Sequence, residues 1–132
     1  MPAIVLKSGS TLFETRREIL RAVSWQIGSQ LWSPPTDQYE TKDAYVVRVE
    51  VAGMQENEFE ISVENNTLLI SGSRPDFHER RAYQQMEIRF GKFTTAVRLP
   101  GAVQIEQASA EYNDGFLTVI LPKLITDQNE VK

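Results

Sequence analysis

Apolar and polar residues alternate with a period of two through most of this chain, and no other feature limits its fold as strongly. One run has apolar residues at every second position from Tyr45 to Val51, and a second runs from Phe59 to Val63. Further runs of this kind cover residues 86–90, 93–99 and 108–112, and a last apolar run covers residues 116–121. Because successive side chains of a strand point to opposite faces, each alternating run predicts a strand with one buried face. We therefore expect residues 36–123 to form an all-β, antiparallel sandwich.

Short polar segments between these runs have the chemistry of tight turns. Asn65-Asn66 separates two runs, and Asn113-Asp114-Gly115 separates the last two. A two-residue hairpin turn requires positive φ angles, which glycine adopts without steric cost. The final run, residues 116–121, is apolar on both faces. This indicates either a central strand of the sandwich or a surface that another chain covers, and the sequence leaves both open.

Residues 1–35 differ from the rest and are predicted to form a helical arm. Thr11 and Glu14 have the spacing of a capping box, and Pro34-Pro35 ends the helix predicted over residues 12–31. One helical face carries an apolar stripe, namely Leu12, Phe13, Ile19, Leu20, Val23, Ile27 and Leu31, with Trp25 and Trp32 on the opposite side. The stripe either packs on the sandwich or serves as a detachable interaction helix. Basic residues exceed acidic ones in the arm, whereas the whole chain has a net charge of -4.

Two further segments lack strand patterning. Residues 74–85 form a charged loop that is long for a compact sandwich, and such loops are often functional. Residues 124–132 form a short and mostly polar C-terminal tail.

The composition argues against several classes of function. The chain has no cysteine, so disulfides and thiolate metal sites are excluded, and His78 is its only histidine. The acidic residues around Glu60 alternate with apolar ones, which is typical of a solvated strand face rather than of acid–base catalysis. We expect no enzyme activity, no cofactor, no metal, no nucleic acid partner and no membrane span. The N-terminus does not resemble a signal peptide, so a cytoplasmic location is expected.

Several motifs, in order, resemble those of the small heat-shock protein (α-crystallin) family. The signature is Ala-x-x-x-Asn/Asp-Gly-Val/Leu-Leu, and the chain matches it at Ala110, Asn113, Asp114, Gly115 and Leu117. Residues 91–93 with residues 97–100 are similar to the family's Gly-x-Phe and Leu-Pro segments. Residues 49–54 are similar to its Leu-Pro-Gly segment, although Ala52 stands where proline is usual. The resemblance covers about residues 36–123.

The resemblance implies an immunoglobulin-like sandwich, the α-crystallin domain, that acts as an ATP-independent holdase for partly unfolded proteins. On this reading, client binding is assigned to apolar residues of the arm: Leu12, Phe13, Leu20, Trp25, Ile27 and Trp32. The alternative is an adaptor or co-chaperone module of the related sandwich fold, which binds one specific partner protein. The range of proteins protected distinguishes the two, because a holdase protects several unrelated proteins and an adaptor protects none.

The resemblance also implies a homodimer, formed by exchange of a strand from the long loop, and larger oligomers built from it. Residues 77–83 of one copy are expected to pair with residues 37–42 of another. The predicted interface residues are Tyr39, Phe77, Arg80, Arg81, Tyr83 and Arg89, and the alternative is a solvated charged loop. The tail lacks the family's usual Ile-x-Ile motif, which puts assembly beyond the dimer in doubt. Ile4-Val5-Leu6 has a similar shape, and we hypothesise that it fills the same groove.

Overall fold

A computed structural model describes residues 6–8, 31–76 and 81–124 of the chain, and these residues form a β-sandwich. The strands are β1 (Leu6–Ser8), β2 (Thr36–Glu40), β3 (Ala44–Glu50), β4 (Phe59–Glu64), β5 (Thr67–Arg74), β6 (Gly91–Arg98), β7 (Ser109–Asn113) and β8 (Phe116–Pro122). Short 3₁₀ helices at Glu56–Glu58 and Ile105–Gln107 precede β4 and β7. The helix predicted over residues 12–31 lies almost wholly outside the described residues. In the described ranges no helix is long and apolar enough to cross a membrane.

The strands form two four-stranded sheets, with the orders β1-β4-β5-β6 and β2-β3-β8-β7. Among the strands of the described residues, every pairing is antiparallel except that of β1 with β4, which is parallel and aligns Leu6 with Ile61. Antiparallel neighbours need only short connections, whereas a parallel neighbour requires a long one. The sandwich expected from the period-two pattern is confirmed.

The core lies between the two sheets and consists of the inward residues of each alternating run. Val47, Val49, Ile61, Phe93 and Leu117 are all almost completely buried there. The aromatic rings of Phe59 and Phe93 meet edge to face at 6.3 Å, an arrangement favoured by their ring quadrupoles.

The two predicted hairpin turns are present with the expected backbone geometry. Asn65 and Asn66 have φ angles of 54° and 59°, and Asp114 and Gly115 have φ angles of 52° and 85°. Gly115 also lies close to another segment, since a Cβ atom there would approach the Ala52 Cβ to 3.3 Å. The carbonyl of Gly115 accepts a hydrogen bond of 2.8 Å from the amide of Val51.

Strand β8 lies between β3 and β7, which answers the question left open by its apolar sequence. Leu117, Val119 and Leu121 fill the core, whereas Phe116 and Ile120 are exposed on the outer face of the sheet. Strand β8 is therefore central in its sheet. In the single chain, however, only its core-facing side is covered.

The alternating run at residues 86–90 does not form a strand. The described loop residues 81–90 have no strand partner, and β6 begins only at Gly91. A strand needs a neighbour to satisfy its backbone groups, and alternation alone does not supply one. The long loop therefore extends to Phe90, beyond the end at residue 85 that the sequence predicts.

Candidate partner-binding surface

Trp32 is part of the sandwich, and its assignment as a client-binding residue of the arm is corrected here. Its side chain is only 8% exposed. Its backbone forms a parallel bridge with Phe93, and the indole Nε1 donates to the carbonyl of Gly91 at 3.2 Å. The two rings meet edge to face at 5.6 Å. A ring held in this way stabilises β6 and presents almost no surface to a client.

The other client-binding residues lie outside the described part of the chain. Their assignment stays a prediction, and it covers Leu12, Phe13, Leu20, Trp25 and Ile27.

Arg74, at the end of β5, joins the base of the long loop to the rest of the molecule. Its Nε and Nη2 both donate to the carbonyl of Arg89, the first at 3.0 Å, and its Nη1 donates to the carbonyl of Ala52 at 3.2 Å. Its guanidinium group lies 4.6 Å from the ring centre of Trp32 and 5.4 Å from that of Phe90. A planar cation with several donors suits such a position, because it stacks on rings and bonds carbonyls at once.

A cleft of about 440 Å³ opens beside Arg74. Its lining consists of Ala52, Gly53, Arg74, Pro75, Asp76, Ile88 and Phe90. The lining is mostly apolar, with one basic and one acidic side chain. Such a cleft suits an apolar side chain of a polypeptide better than a small polar substrate.

Apolar side chains of the loop are exposed to solvent, and one of them, Ile88, lines the cleft. Ile88 is 63% exposed, and Met86 and Tyr83 are similarly accessible. The alternation at residues 86–90 was visible in the sequence, but it did not mark these side chains as a surface. An apolar group of this kind marks an interaction site more often than isolated apolar residues do.

Within the loop, Arg81 is held by neighbours in its own chain. Its Nη1 donates to the hydroxyl of Tyr83 and lies 3.3 Å from the carboxylate of Asp76. These contacts raise the pKa of Arg81 above its ordinary value, mainly through the hydrogen bond to Tyr83. An arginine is charged at physiological pH in any case, so these contacts fix the position of the guanidinium rather than its charge.

The remaining predicted interface residues fall into two groups. Tyr39 lies on β2 and is 50% exposed, and Arg89 is exposed at the end of the loop. Among the described residues, the outward edge of β2 has no strand partner. Phe77 and Arg80 lie outside the described residues. The structure therefore places Tyr39, Arg81, Tyr83 and Arg89 on the surface, and their role between two copies stays a prediction.

The signature segment includes a turn that is hydrogen-bonded to the residues that directly follow β3. Tyr112, within the signature segment, donates its hydroxyl to the carbonyl of Val51 at 2.7 Å and accepts from the amide of Met54 at 3.2 Å. Its ring packs 5.2 Å from that of Phe59. These contacts show that the signature segment is structural. Among the described residues, no cluster of histidine or acidic side chains is placed to hold a metal ion.

Comparison with known proteins gives one consistent result. The model of the Hsp20/alpha crystallin family matches residues 37–132. The 17.7 kDa class II heat shock protein of Arabidopsis thaliana is 40% identical over 94 residues, which are 68% of this chain and 60% of that protein. The 16.9 kDa class I heat shock protein 1 of Triticum aestivum is 32% identical over 125 residues, which are 91% of this chain and 83% of that protein.

The fold agrees with this assignment. The structure of heat shock protein 16.0 from Schizosaccharomyces pombe matches with a TM-score of 0.63 and 29% identity, over 70% of this chain and 87% of that one. The aligned part of this chain spans less than two thirds of the Arabidopsis relative. From its motifs, sandwich and relatives, the chain belongs to the Hsp20/α-crystallin family of small heat-shock proteins, whose members are ATP-independent chaperones and not enzymes.

Proposed function

We propose that this chain is an ATP-independent holdase that binds partly unfolded proteins and prevents their aggregation under heat or other stress. One observation carries the proposal beyond family membership: the apolar cleft beside Arg74 is lined by Ile88, which is itself largely exposed, and Met86 in the same loop is exposed as well. Unfolded chains expose apolar segments, and burial of those segments on such a surface is favourable without an energy source. Release of the predicted apolar arm would add to this surface.

The test is the light scattering of two unrelated heat-labile proteins, warmed with and without the chain and in the absence of ATP. Suppressed scattering of both proteins near a stoichiometric ratio supports the holdase. A variant with Met86→Ser and Ile88→Ser should suppress scattering less well than the parent chain. The control is Ile120→Ser, an exposed change on β8, and it should suppress scattering as well as the parent chain does. If neither protein is protected at any ratio, the holdase is refuted, and the adaptor with one specific partner becomes the better description.

The proposed dimer forms by exchange of the long loop. Two observations support it: the outward edge of β2 has no strand partner among the described residues, and the described end of the exchanged segment, residues 81–83, has none either. Pairing the loop of one copy with β2 of the other satisfies both sets of backbone groups and removes an exposed edge. Residues 77–83 would form the exchanged strand, opposite residues 37–42 that include Tyr39.

Cysteine cross-linking tests this arrangement without background, because the chain has no cysteine. A Tyr39→Cys chain mixed with a Tyr83→Cys chain should form a disulfide-linked heterodimer under mild oxidation. A Glu111→Cys chain, altered on the outer face of β7, is the matched control for Tyr39→Cys and should not cross-link with Tyr83→Cys. Equal yields for the two mixtures would contradict loop exchange.

The N-terminal segment is proposed to fill, in assembly, the groove that the family's Ile-x-Ile motif occupies. Strand β1 begins at Leu6 and lies along β4, which would otherwise be the edge of its sheet. Ile4 and Val5 lie outside the described residues. Replacing Ile4 and Leu6 by serine should lower the native mass in solution, and an unchanged mass would exclude this role. We also propose a cytoplasmic location, which subcellular fractionation tests.

A further inference from the structure

The outer face of the sheet β2-β3-β8-β7 carries apolar side chains that the sandwich itself does not use. Strand β8 is apolar on both faces, and Leu117, Val119 and Leu121 on its inner face belong to the core. On its outer face, Phe116 is 36% exposed and Ile120 is 40% exposed. Exposed apolar residues grouped on one strand indicate an interaction surface more strongly than isolated ones do.

Strands β3 and β7 flank β8, and their registers align outward residues in rows across it. One row contains Arg48 on β3, Thr118 on β8 and Glu111 on β7. The basic and the acidic residue of this row both lie one strand spacing, about 4.8 Å, from β8, but on opposite sides of it. A two-fold axis that runs along β8, in the plane between two facing sheets, therefore exchanges the positions of these two residues.

Two copies packed face to face on such an axis are complementary in charge. Arg48 of each copy lies opposite Glu111 of the other, so the symmetry forms this ion pair twice. In the neighbouring row, Glu50 lies opposite Asn113, which sets a carboxylate against an amide donor. Within the described ranges, neither Arg48 nor Glu111 forms an ion pair in its own chain, so both charges are available to a second copy.

The outward residues of β8 itself lie on the axis, so each of them meets its own copy. Ile120 packs on Ile120 and Phe116 on Phe116, and the common separation of packed sheets, about 10 Å, leaves room for both side-chain layers. The guanidinium of Arg48 already lies 4.6 Å from the ring centre of Phe116 in the single chain. It is therefore held over the face before the copies meet, which reduces the entropy lost on association.

We propose that the outer face of β3, β8 and β7, here named the β8 face, binds the β8 face of a second copy about a two-fold axis along β8. A second copy suits this face better than an unfolded chain does, because a fixed pattern of opposite charges is complementary to a surface that carries the same pattern. None of its residues lines the cleft beside Arg74 or belongs to the segments proposed for loop exchange. The β8 face can therefore join copies that are already paired through their loops.

The size of the face sets the strength of this contact. Three strands of about seven residues cover about 14 Å by about 24 Å, or about 340 Å² per copy. A standard interface buries about 800 Å² per partner, so the contact is weak by itself. Association through the β8 face therefore depends on chain concentration, and it gains strength when both copies of a loop-exchanged pair take part.

Charge reversal in the full chain tests this arrangement. Arg48→Glu sets a carboxylate opposite Glu111 of the second copy, and Glu111→Arg sets a guanidinium opposite Arg48. Each variant alone should raise the dissociation constant of self-association about tenfold or more. An equimolar mixture of the two variants should regain the association of the parent chain, because every contact between unlike copies again joins opposite charges. The measurement is the weight-average mass by analytical ultracentrifugation, at low salt and over a range of concentrations.

Two further variants separate this contact from other effects of charge and of assembly. Lys92→Glu, at an exposed position of β6 in the other sheet, makes the same change of charge as Arg48→Glu and should associate as the parent chain does. Ile120→Ser removes an apolar contact on the axis without a change of charge, and it should weaken association. Loop exchange is unaltered in all these variants, so it sets the mass at low concentration and the β8 face sets the rise above it.

Three results would overturn the proposal. The mass of the parent chain could stay constant as its concentration rises. Arg48→Glu could associate as well as the parent chain or Lys92→Glu, which places any contact between copies elsewhere. The mixture of the two reversed variants could associate no better than either variant alone. The scattering assay is a separate measurement on a different surface, so a failure of the proposed holdase leaves the mass result unchanged.

Discussion

Replacing Arg74 by methionine should detach the base of the long loop from the sandwich. The substitution keeps an unbranched apolar side chain of similar length but removes the charge and all the donors. It therefore abolishes the hydrogen bonds to the carbonyls of Arg89 and Ala52 and the cation stacking on Trp32. The loop then has lost its main polar link to the end of β5.

The expected cost follows from these contacts. The hydrogen bonds are solvent-accessible, so each carbonyl contact contributes about 0.5–1 kcal/mol. Stacking of the guanidinium on Trp32 at 4.6 Å contributes about 0.5–1 kcal/mol at such a site. The sum predicts a loss of about 2 kcal/mol in the free energy of unfolding. Arg74→Lys keeps the charge but not the planar fork of donors, and should recover less than half of this loss.

The assay is urea unfolding at a fixed chain concentration, followed by tryptophan fluorescence. A Trp25→Phe background leaves Trp32 as the only tryptophan, and it lies directly beneath Arg74. The midpoint should fall while the denaturant slope stays constant. Arg98→Met, at an exposed position on β6, is the matched control and should change the free energy by less than about 0.5 kcal/mol. A cost for Arg74→Met that equals that of Arg98→Met would refute the assignment of Arg74 as the link.

Two further changes test the contacts around the signature and the core. Tyr112→Phe leaves the carbonyl of Val51 and the amide of Met54 without their partner. It should lower the free energy of unfolding by about 1–3 kcal/mol, measured by thermal or urea unfolding. No measurable loss would show that water replaces the hydroxyl. Gly72→Ala places a Cβ atom 2.8 Å from the ring of Phe93 and 2.9 Å from a backbone carbonyl. It should therefore lower the free energy of unfolding by about 1–3 kcal/mol. An unchanged free energy would mean that β5 shifts freely.

The exposed loop and the covered outer face indicate which surfaces of this chain need a partner to prevent uncontrolled association. The free edge of β2 and the apolar loop residues Met86 and Ile88 are open in one described chain. In the opposite sheet, β1 lies along β4, and Leu69 on the outer face is buried. An exposed strand edge or apolar patch promotes aggregation, so each requires either a partner copy or a segment of the same chain.

The strands and hairpins were predictable because they depend on local chemistry. Alternation from Tyr45 to Val51 and from Phe59 to Val63 defines two strands by itself, since the period of two allows only one face to be buried. The turn at Asp114-Gly115 follows from the positive φ that its residues tolerate. The family motifs lie on these same elements, which is why the fold class and the family were both confirmed.

The predictions that failed depend on neighbours that a sequence pattern does not identify. Trp32 was assigned to the arm because it follows a helical pattern, but its partner Phe93 is distant in sequence. Residues 86–90 have strand alternation, but the described chain provides no strand beside them. The role of Arg74 in joining the long loop to the sandwich was not predicted for the same reason, since its contacts come from three separate segments.

The sequence by itself determined most of the strands, the two hairpin turns and the family, because those properties depend on side-chain periodicity and on the backbone preferences of single residues. The tertiary structure alone decided which edges and faces are covered: β1 on β4, Trp32 on β6, and a buried Leu69 on an outer face that alternation predicts to be wet. Coverage is a property of segments far apart in the chain, and its free energy appears only when they meet.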